Sequence, residues 1–234
     1  MAKAKPGGRS DGRGRRDAAG RSKRGPGRRS TPAGRARARP EPEPRLRAFL
    51  AVSLDGYIAD RRGGVGWLDP YFTPEIDFQA FWRTIGATVM GRATWDWTVA
   101  HGYAIEAGSR RIVQTHRPLK NAPAGVEAFA GDVRKLAAEL RRELTGTGKD
   151  VCLFGGGESI ASFQAHGLVD RWELAIMPAL LGDGMPLFPQ RSRRVERLRL
   201  THSRALKNGV IEVWYEPDRS AVLARGRRTI GGCG

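Results

Sequence analysis

Cysteine is scarce in this chain of 234 residues, and long apolar runs are missing. Two cysteines, Cys152 and Cys233, do not make a disulfide framework, and Cys152 stands within an apolar stretch. A reducing, cytoplasmic compartment is therefore expected. No run approaches the ~18 apolar residues of a membrane span, and the amino terminus has no apolar signal core, so no membrane association is expected. The sequence assigns no residue to a metal site.

Large aliphatic and aromatic side chains are absent from residues 1–45, which contain no Val, Ile, Leu, Phe, Trp or Tyr. This segment carries 15 Lys or Arg against 4 Asp or Glu, and so holds most of the net charge of +17. With nothing to bury, it is predicted to be a disordered tail rich in Arg, Gly and Pro. Two interpretations stay open: weak nonspecific binding to polyanions, or a solvated extension or start codon assigned too far upstream. The second is favoured because no aromatic residues are interleaved to stack on bases.

Residues 46–216 form a segment of nearly balanced charge, with 22 Lys or Arg against 19 Asp or Glu. The segment is predicted to be one domain, large enough for a substantial core. Its small net charge argues against a domain that reads nucleic acid. Residues 217–234 are again rich in Arg and Gly and are predicted to be a flexible C-terminal tail.

Apolar periodicity divides the domain into alternating strands and helices, followed by strands alone. Strands are predicted at 46–54, 87–90, 110–115, 151–154 and 171–177, with a hairpin at 197–206 and 209–215. Helices are predicted after the caps Thr73 and Asp132, and from Glu158. The pattern predicts an α/β fold, a mostly parallel mixed sheet flanked by helices with a C-terminal antiparallel hairpin.

The first predicted helix carries an apolar stripe of Phe78, Phe81, Trp82 and Ile85. Asp77 and Glu75 border this stripe, where a carboxylate at an apolar rim can hold a proton donor. The alternative is that acids in a first turn only favour the helix dipole, and that alternative is preferred for Glu75. Asp55 is interpreted as a turn residue, after which residues 57–59 continue the first strand, and residues 63–67 as a mobile loop.

A glycine turn, residues 155–157, joins the apolar strand 151–154 to the helix from Glu158. Glycine lets a ligand approach the backbone, and a helix start offers free N–H groups, so this geometry favours an anion such as a phosphate. An ordinary strand-to-helix turn is the alternative. Gly91-Arg92 repeats this pattern of a strand, a glycine and a helix start, and its arginine can donate two hydrogen bonds to a phosphate. Because Gly91, Thr115 and Gly155 all end predicted parallel strands, we expect them at one edge of the sheet.

Five stretches, taken in order, resemble the dihydrofolate reductase superfamily, and most closely its branch containing the reductase domain of riboflavin biosynthesis. They are SLDGYIA (53–59), MGRATW (90–95), FGGGES (154–159), LVD (168–170) and LGDGMPLF (181–188). The resemblance implies a three-layer fold over residues 46–216. It also implies an NADPH-dependent reductase that transfers a hydride to a small heterocycle, a pterin or a pyrimidine. Family members often pair, so a homodimer is implied.

The resemblance also implies roles for individual residues. Arg92, Thr94 and Thr115 would hold the 2′-phosphate and nearby phosphates, helped by His116 or Arg117. Gly91 opens the turn that carries Arg92 and Thr94. The pyrophosphate and the nicotinamide side would lie on the glycine turn and helix start made of Gly155, Gly156, Gly157, Glu158 and Ser159, with the backbone near Ala51 meeting the carboxamide. Asp77, four residues before Phe81, would contact the substrate.

Two departures from the family pattern leave the substrate open. Residues 95–101 stand where riboflavin reductase domains usually have a Thr-x-x-x-Asp-Asp-Pro segment. Residues 66–70 only partly match the segment that leads into the helix in dihydrofolate reductases. Two other functions remain as alternatives. One is a non-catalytic nucleotide-binding or nucleic-acid-associated protein that acts through its basic N-terminal arm, and the other is a structural dimer.

Overall fold

The structure, a computed structural model, describes residues 42–103, 110–120, 122–189 and 195–219. Nearly all of the two predicted tails, residues 1–45 and 217–234, lies outside these ranges. The interpretations of the basic arm therefore stay predictions.

Ten strands occur in the described residues, and eight of them form one sheet in the order β5-β4-β3-β6-β1-β7-β10-β9. The strands are β1 (Leu46–Ser53), β2 (Tyr57–Ala59), β3 (Ile85–Gly91), β4 (Arg110–Gln114), β5 (Val126–Phe129), β6 (Asp150–Gly155), β7 (Arg171–Met177), β8 (Met185–Pro186), β9 (Leu198–Ala205) and β10 (Ile211–Pro217). The strands from β5 to β7 in this order pair in parallel. The hairpin β9–β10 adds antiparallel strands beside β7. The predicted mostly parallel sheet with a C-terminal hairpin is confirmed.

Helices cover both faces of the sheet, which gives three layers. They are α1 (Phe78–Arg83), α2 (Arg92–Ala100), α3 (Val133–Leu144) and α4 (Gly157–Gln164). The largest buried cluster joins α3 and α4 to one sheet face through residues such as Leu136, Leu140 and Phe163. A second cluster joins α1 and α2 to the other face through Trp82 and Trp95. Alternation along each strand supplies apolar side chains to both faces, as a covered parallel sheet requires.

The predicted start of α1 at Thr73 is wrong, because Asp77 is the N-cap. Its carboxylate accepts a hydrogen bond from the Ala80 N–H at 2.7 Å. Thr73 Oγ1 instead accepts the Glu75 N–H within a turn. The apolar stripe ends earlier than predicted, since Ile85 is the first residue of β3. A nearer cap that leads directly into Phe78 therefore overrides the Thr-Pro signal.

Three further features differ from the sequence-based expectation. Residues Gly66–Tyr71 form a 3-10 helix, so the expected loop at 63–67 is partly regular. Residues Tyr57–Ala59 do not continue β1 but pair with Met185–Pro186 as a separate two-stranded sheet. The edge strand Val126–Phe129 was not predicted, because it is short and only partly buried.

Candidate functional site

Three parallel neighbours, β4, β3 and β6, bring their carboxyl ends to one edge of the sheet. Gly91 ends β3, Gly155 ends β6, and Thr115 directly follows β4. Such an edge is where open α/β sheets bind ligands. The structure thus brings together the three strand ends on which the sequence-based site depends.

The glycine turn after β6 needs its glycines for both conformation and space. Gly155 and Gly156 have φ values of 138° and 75°, a region that other residues rarely adopt. At Gly157, a Cβ atom would lie 2.6 Å from the carbonyl oxygen of Pro186. The turn therefore packs tightly against β8 at the point where α4 begins.

The amino termini of α2 and α4 lie side by side at this edge. A Cβ atom on Gly91, the N-cap of α2, would lie 3.5 Å from the Cβ of Ser159 in α4. One on Gly156, the N-cap of α4, would lie 3.6 Å from the Gly91 Cα and 3.4 Å from the Thr94 Oγ1. First-turn N–H groups have no partner within their helix, and each helix start carries a partial positive charge. Two such starts in contact favour a bound anion.

Arg92 lies between α2 and the loop that follows β4. Its Nε donates to Asp96 Oδ1 at 2.7 Å, and its Nη1 donates to the Pro118 carbonyl at 3.3 Å. Thr115 belongs to the same loop, where its Oγ1 accepts the Arg117 N–H at 3.1 Å. A cationic fork therefore stands beside the loop that carries Thr115, and His116 and Arg117 next to it are exposed.

Glu158 and Ser159, the other two residues predicted at the helix start, have different surroundings. Glu158 is exposed, whereas Ser159 is buried and its hydroxyl donates to Gln114 Oε1. Gln114 also donates to Ser162 Oγ at 3.2 Å, so it fastens the end of β4 to α4. Sequence reasoning missed Gln114. Its only signal is a polar residue at the end of a buried strand.

A cleft of about 410 Å³ adjoins this edge, between the sheet, the 3-10 helix, α1 and α2. Most of its lining is apolar and much of it is aromatic, including Phe49, Tyr71, Phe78, Trp97, Tyr103, Phe154 and Trp214. Ala51, Thr94, Gly155 and Gly156 also line it. The remaining predicted residues, Gly91, Arg92, Thr115, Gly157, Glu158, Ser159 and Asp77, lie outside its lining. The cleft thus touches the glycine turn and Thr94 but includes neither Arg92 nor Thr115, the other two residues proposed for the 2′-phosphate.

The RibD C-terminal domain family matches this chain over residues 44–211. The chain belongs to that family. The match spans β1 to β9, the glycine turn and all of the cleft lining except Glu212 and Trp214.

Other proteins and solved structures are similar to this chain to different degrees. The uncharacterized protein YyaP of Bacillus subtilis is 29% identical over 184 residues, which are 71% of this chain and 91% of that protein. A solved structure from Shewanella sp. PV-4, named for riboflavin biosynthesis, is 26% identical with a TM-score of 0.65, over 75% of this chain and 99% of that chain.

The fold also matches a larger enzyme, the diaminohydroxyphosphoribosylaminopyrimidine deaminase/5-amino-6-(5-phosphoribosylamino)uracil reductase of Thermotoga maritima. That structure is 18% identical with a TM-score of 0.53, over 75% of this chain and 57% of that chain. At this identity the likeness shows a common fold.

Asp77, the predicted substrate contact, lies at the margin of the cleft in this family member. Its neighbours Ile76 and Phe78 both line the cleft. Its own carboxylate is 64% exposed, caps α1 and lies 4.0 Å from Arg83. Its role toward a substrate stays a prediction.

Asp55 lies in a turn, as predicted, and its carboxylate connects two loops. It accepts hydrogen bonds from the Ser53 hydroxyl at 2.5 Å and from the backbone of Gly182 at 2.7 Å and Leu181 at 3.2 Å. These donors, the Ser53 hydroxyl first, lower the pKa of Asp55. The turn after β1 is thereby held to the loop that leads into β8.

A buried ion pair that sequence reasoning missed lies at the inner end of the cleft. Arg47 donates from Nε and Nη2 to the two carboxylate oxygens of Glu173, at 2.6 and 2.8 Å. Arg47 also bonds the Thr84 hydroxyl and lies 3.4 Å from Asp150. Charged residues within otherwise apolar strands are the signal that was available in the sequence.

No helix among the described residues is long and apolar enough to cross a membrane. In the same ranges, no group of His, Cys, Asp and Glu is placed to hold a metal ion.

Proposed function

We propose that this RibD C-terminal domain protein is an NADPH-dependent reductase that transfers a hydride to a small heterocycle, a pterin or a pyrimidine. The observation that supports it most is the meeting of two helix starts and three strand ends beside a largely apolar cleft. Membership of the family and the name of the Thermotoga maritima enzyme, which includes a uracil reductase, support the same class of reaction.

The residues at the edge fit a phosphorylated dinucleotide. The first-turn N–H groups of α4 and the glycine turn suit a pyrophosphate, since a backbone without Cβ atoms admits close approach. Arg92, Thr94 and Thr115 are proposed to select the 2′-phosphate, for which an arginine supplies a planar pair of donors. In this proposal Gly91 lies where the two helix starts meet, since a Cβ atom on it would be in van der Waals contact with Ser159 at 3.5 Å.

The chain contributes orientation and exclusion of water, while NADPH supplies the hydride when bound. Ala51 lines the cleft beside the glycine turn, and its backbone is proposed to meet the nicotinamide carboxamide. Aromatic side chains around Ala51 replace water with an environment of low dielectric constant, which strengthens polar contacts inside it. Asp77 is proposed to reach the substrate from the rim. Localisation in the cytoplasm and pairing into a homodimer remain part of the proposal.

The test is thermal unfolding with NADPH, NADH and 2′-phospho-AMP. Ligand at about 100 times its dissociation constant stabilises the folded state by about 2.7 kcal/mol. For a domain of this size that raises Tm by roughly 5 to 10 °C. We expect NADPH and 2′-phospho-AMP to stabilise the protein at concentrations where NADH does not.

Arg92→Ala should remove the preference for NADPH over NADH. Arg199→Ala is the matched control, because Arg199 lies on β9 at the opposite edge of the sheet. No shift with millimolar NADPH, or an unchanged preference in Arg92→Ala, would contradict the proposal.

A further inference from the structure

Three charged side chains line the cleft among the described residues: Arg62, Glu173 and Glu212. Arg62 is exposed, and Glu212 is partly exposed and paired with Arg204 at 2.7 Å. Glu173 differs from both because it is only 3% exposed. The inner end of the cleft therefore carries a buried carboxylate.

Aromatic side chains and two arginines, Arg47 and Arg171, surround Glu173. The strand register places Phe49 of β1 on one side of it and Trp214 of β10 on the other. The guanidinium of Arg47, which holds the carboxylate, lies 4.8 Å from the ring of Phe81. This aromatic lining suits a flat heterocycle, since aromatic rings favour stacked or edge-to-face contacts. The ring of Phe49 itself stacks on that of Phe81 at 4.0 Å.

Space above Glu173 comes from two alanines. Ala51 and Ala175 are paired on β1 and β7, two residues nearer the carboxyl ends, and both line the cleft. Their small side chains leave open the volume that larger residues would fill. The glycine turn after β6 lies two strands from β7, which corresponds to roughly 10 Å at the usual strand spacing. A ring over Ala51 therefore has Glu173 as a neighbour.

The hydrogen-bonding capacity of Glu173 is not used up by Arg47. An ionised carboxylate has about four acceptor positions, and Arg47 occupies two. Arg171 is a second cation nearby, but its Nη1 lies 3.6 Å from Glu173 Oε1, beyond hydrogen-bond distance. Stability alone does not explain the pair, because apolar residues of similar volume commonly stabilise a protein equally well. A fixed, negatively charged acceptor at the end of an apolar cleft instead suits recognition of a ligand N–H group.

We propose that Glu173 is a substrate-binding residue that selects planar heterocycles presenting an N–H donor toward the inner end of the cleft. Arg47 is the positioning residue that fixes the carboxylate. This inference rests on the proposed function, because it places the substrate next to the nicotinamide site.

The experiment compares two pteridines by calorimetry with the purified chain. Pterin carries N–H donors, and 1,3-dimethyllumazine has a similar size but none. The wild-type protein should bind pterin at least roughly tenfold more tightly, as expected for a hydrogen bond to a charged acceptor. Glu173→Gln should weaken pterin binding roughly tenfold, since a neutral acceptor forms a weaker hydrogen bond. Its affinity for 1,3-dimethyllumazine should not change.

Two further variants separate recognition from folding. Asp150→Asn removes another partner of Arg47 that lies outside the cleft lining, so the preference for pterin should persist. The double variant Arg47→Met, Glu173→Leu replaces the ion pair with apolar side chains and remains informative if Glu173→Gln fails to fold. It should bind both pteridines equally.

A preference for pterin that survives in the double variant, or no preference in the wild type, would overturn the inference. NADPH binding is measured in parallel on the wild type. If the wild type did not bind NADPH, the reductase proposal would be refuted. The preference for pterin tests the role of Glu173 separately.

Discussion

Gly157→Ala tests the tight turn from which helix α4 begins. The new Cβ atom would lie 2.6 Å from the Pro186 carbonyl oxygen and 3.3 Å from Pro189 Cδ. The first distance is roughly 1 Å shorter than a favourable contact. Because the obstacle is backbone, either α4 or the chain at β8 has to move by about that amount.

The displacement should reduce both stability and cofactor affinity. Overpacking of this kind costs about 1–3 kcal/mol, which lowers Tm by roughly 2 to 12 °C for a domain of this size. A shift of nearly 1 Å also stretches hydrogen bonds from the α4 start to a phosphate beyond their normal range. Losing one hydrogen bond to a charged group costs about 1.5–3 kcal/mol, so NADPH affinity should fall by roughly 10- to 150-fold.

The assay is thermal unfolding together with an NADPH titration, and Gly167→Ala is the control. Gly167 lies beyond the other end of α4 with φ at 64° and no atom within 4 Å of an added Cβ. Its replacement should cost about 1–2 kcal/mol through backbone strain alone and leave NADPH affinity unchanged. If Gly157→Ala were destabilised yet bound NADPH like the wild type, the α4 start would not hold the phosphates.

Two other substitutions have defined outcomes. Asp77→Asn keeps a good N-cap, so Tm should stay the same. Turnover with a reducible pterin should fall at least roughly tenfold. Full turnover in this variant would show that Asp77 has no role in contacting the substrate. The hydrogen bond from Arg171 lowers the pKa of Glu216 below its ordinary 4.5, so Glu216 stabilises the fold above that pH and loses this effect as the pH falls through the lowered pKa. Glu216→Gln should therefore lower Tm at pH 7 but not near pH 2, and a pH-independent difference in Tm would contradict this.

Much of the fold could be predicted because its signals are local. The strand Arg171–Met177 was predicted with its observed bounds, and the Asp132 cap of α3 accepts the Arg134 N–H as its position indicates. The convergence of Gly91, Thr115 and Gly155 followed from parallel strands, whose carboxyl ends share an edge.

Features that depend on contacts between distant segments could not be predicted in the same way. Strand β2 exists because Tyr57–Ala59 meets Met185–Pro186, more than a hundred positions along the chain. The inner end of the cleft depends on register, because only the pairing of β1 with β7 places Phe49 beside Glu173. A charged residue in a strand indicates burial with a partner, but it does not identify Arg47 as that partner.

A crystal structure of the protein with NADPH tests most directly whether one dinucleotide binds where the strand ends meet. We expect the pyrophosphate at the glycine turn of residues 155–157, the 2′-phosphate beside Arg92, and the nicotinamide ring over Ala51 facing the cleft. NADPH bound away from this edge, or crystals that contain none at saturating concentration, would contradict the proposed reductase site.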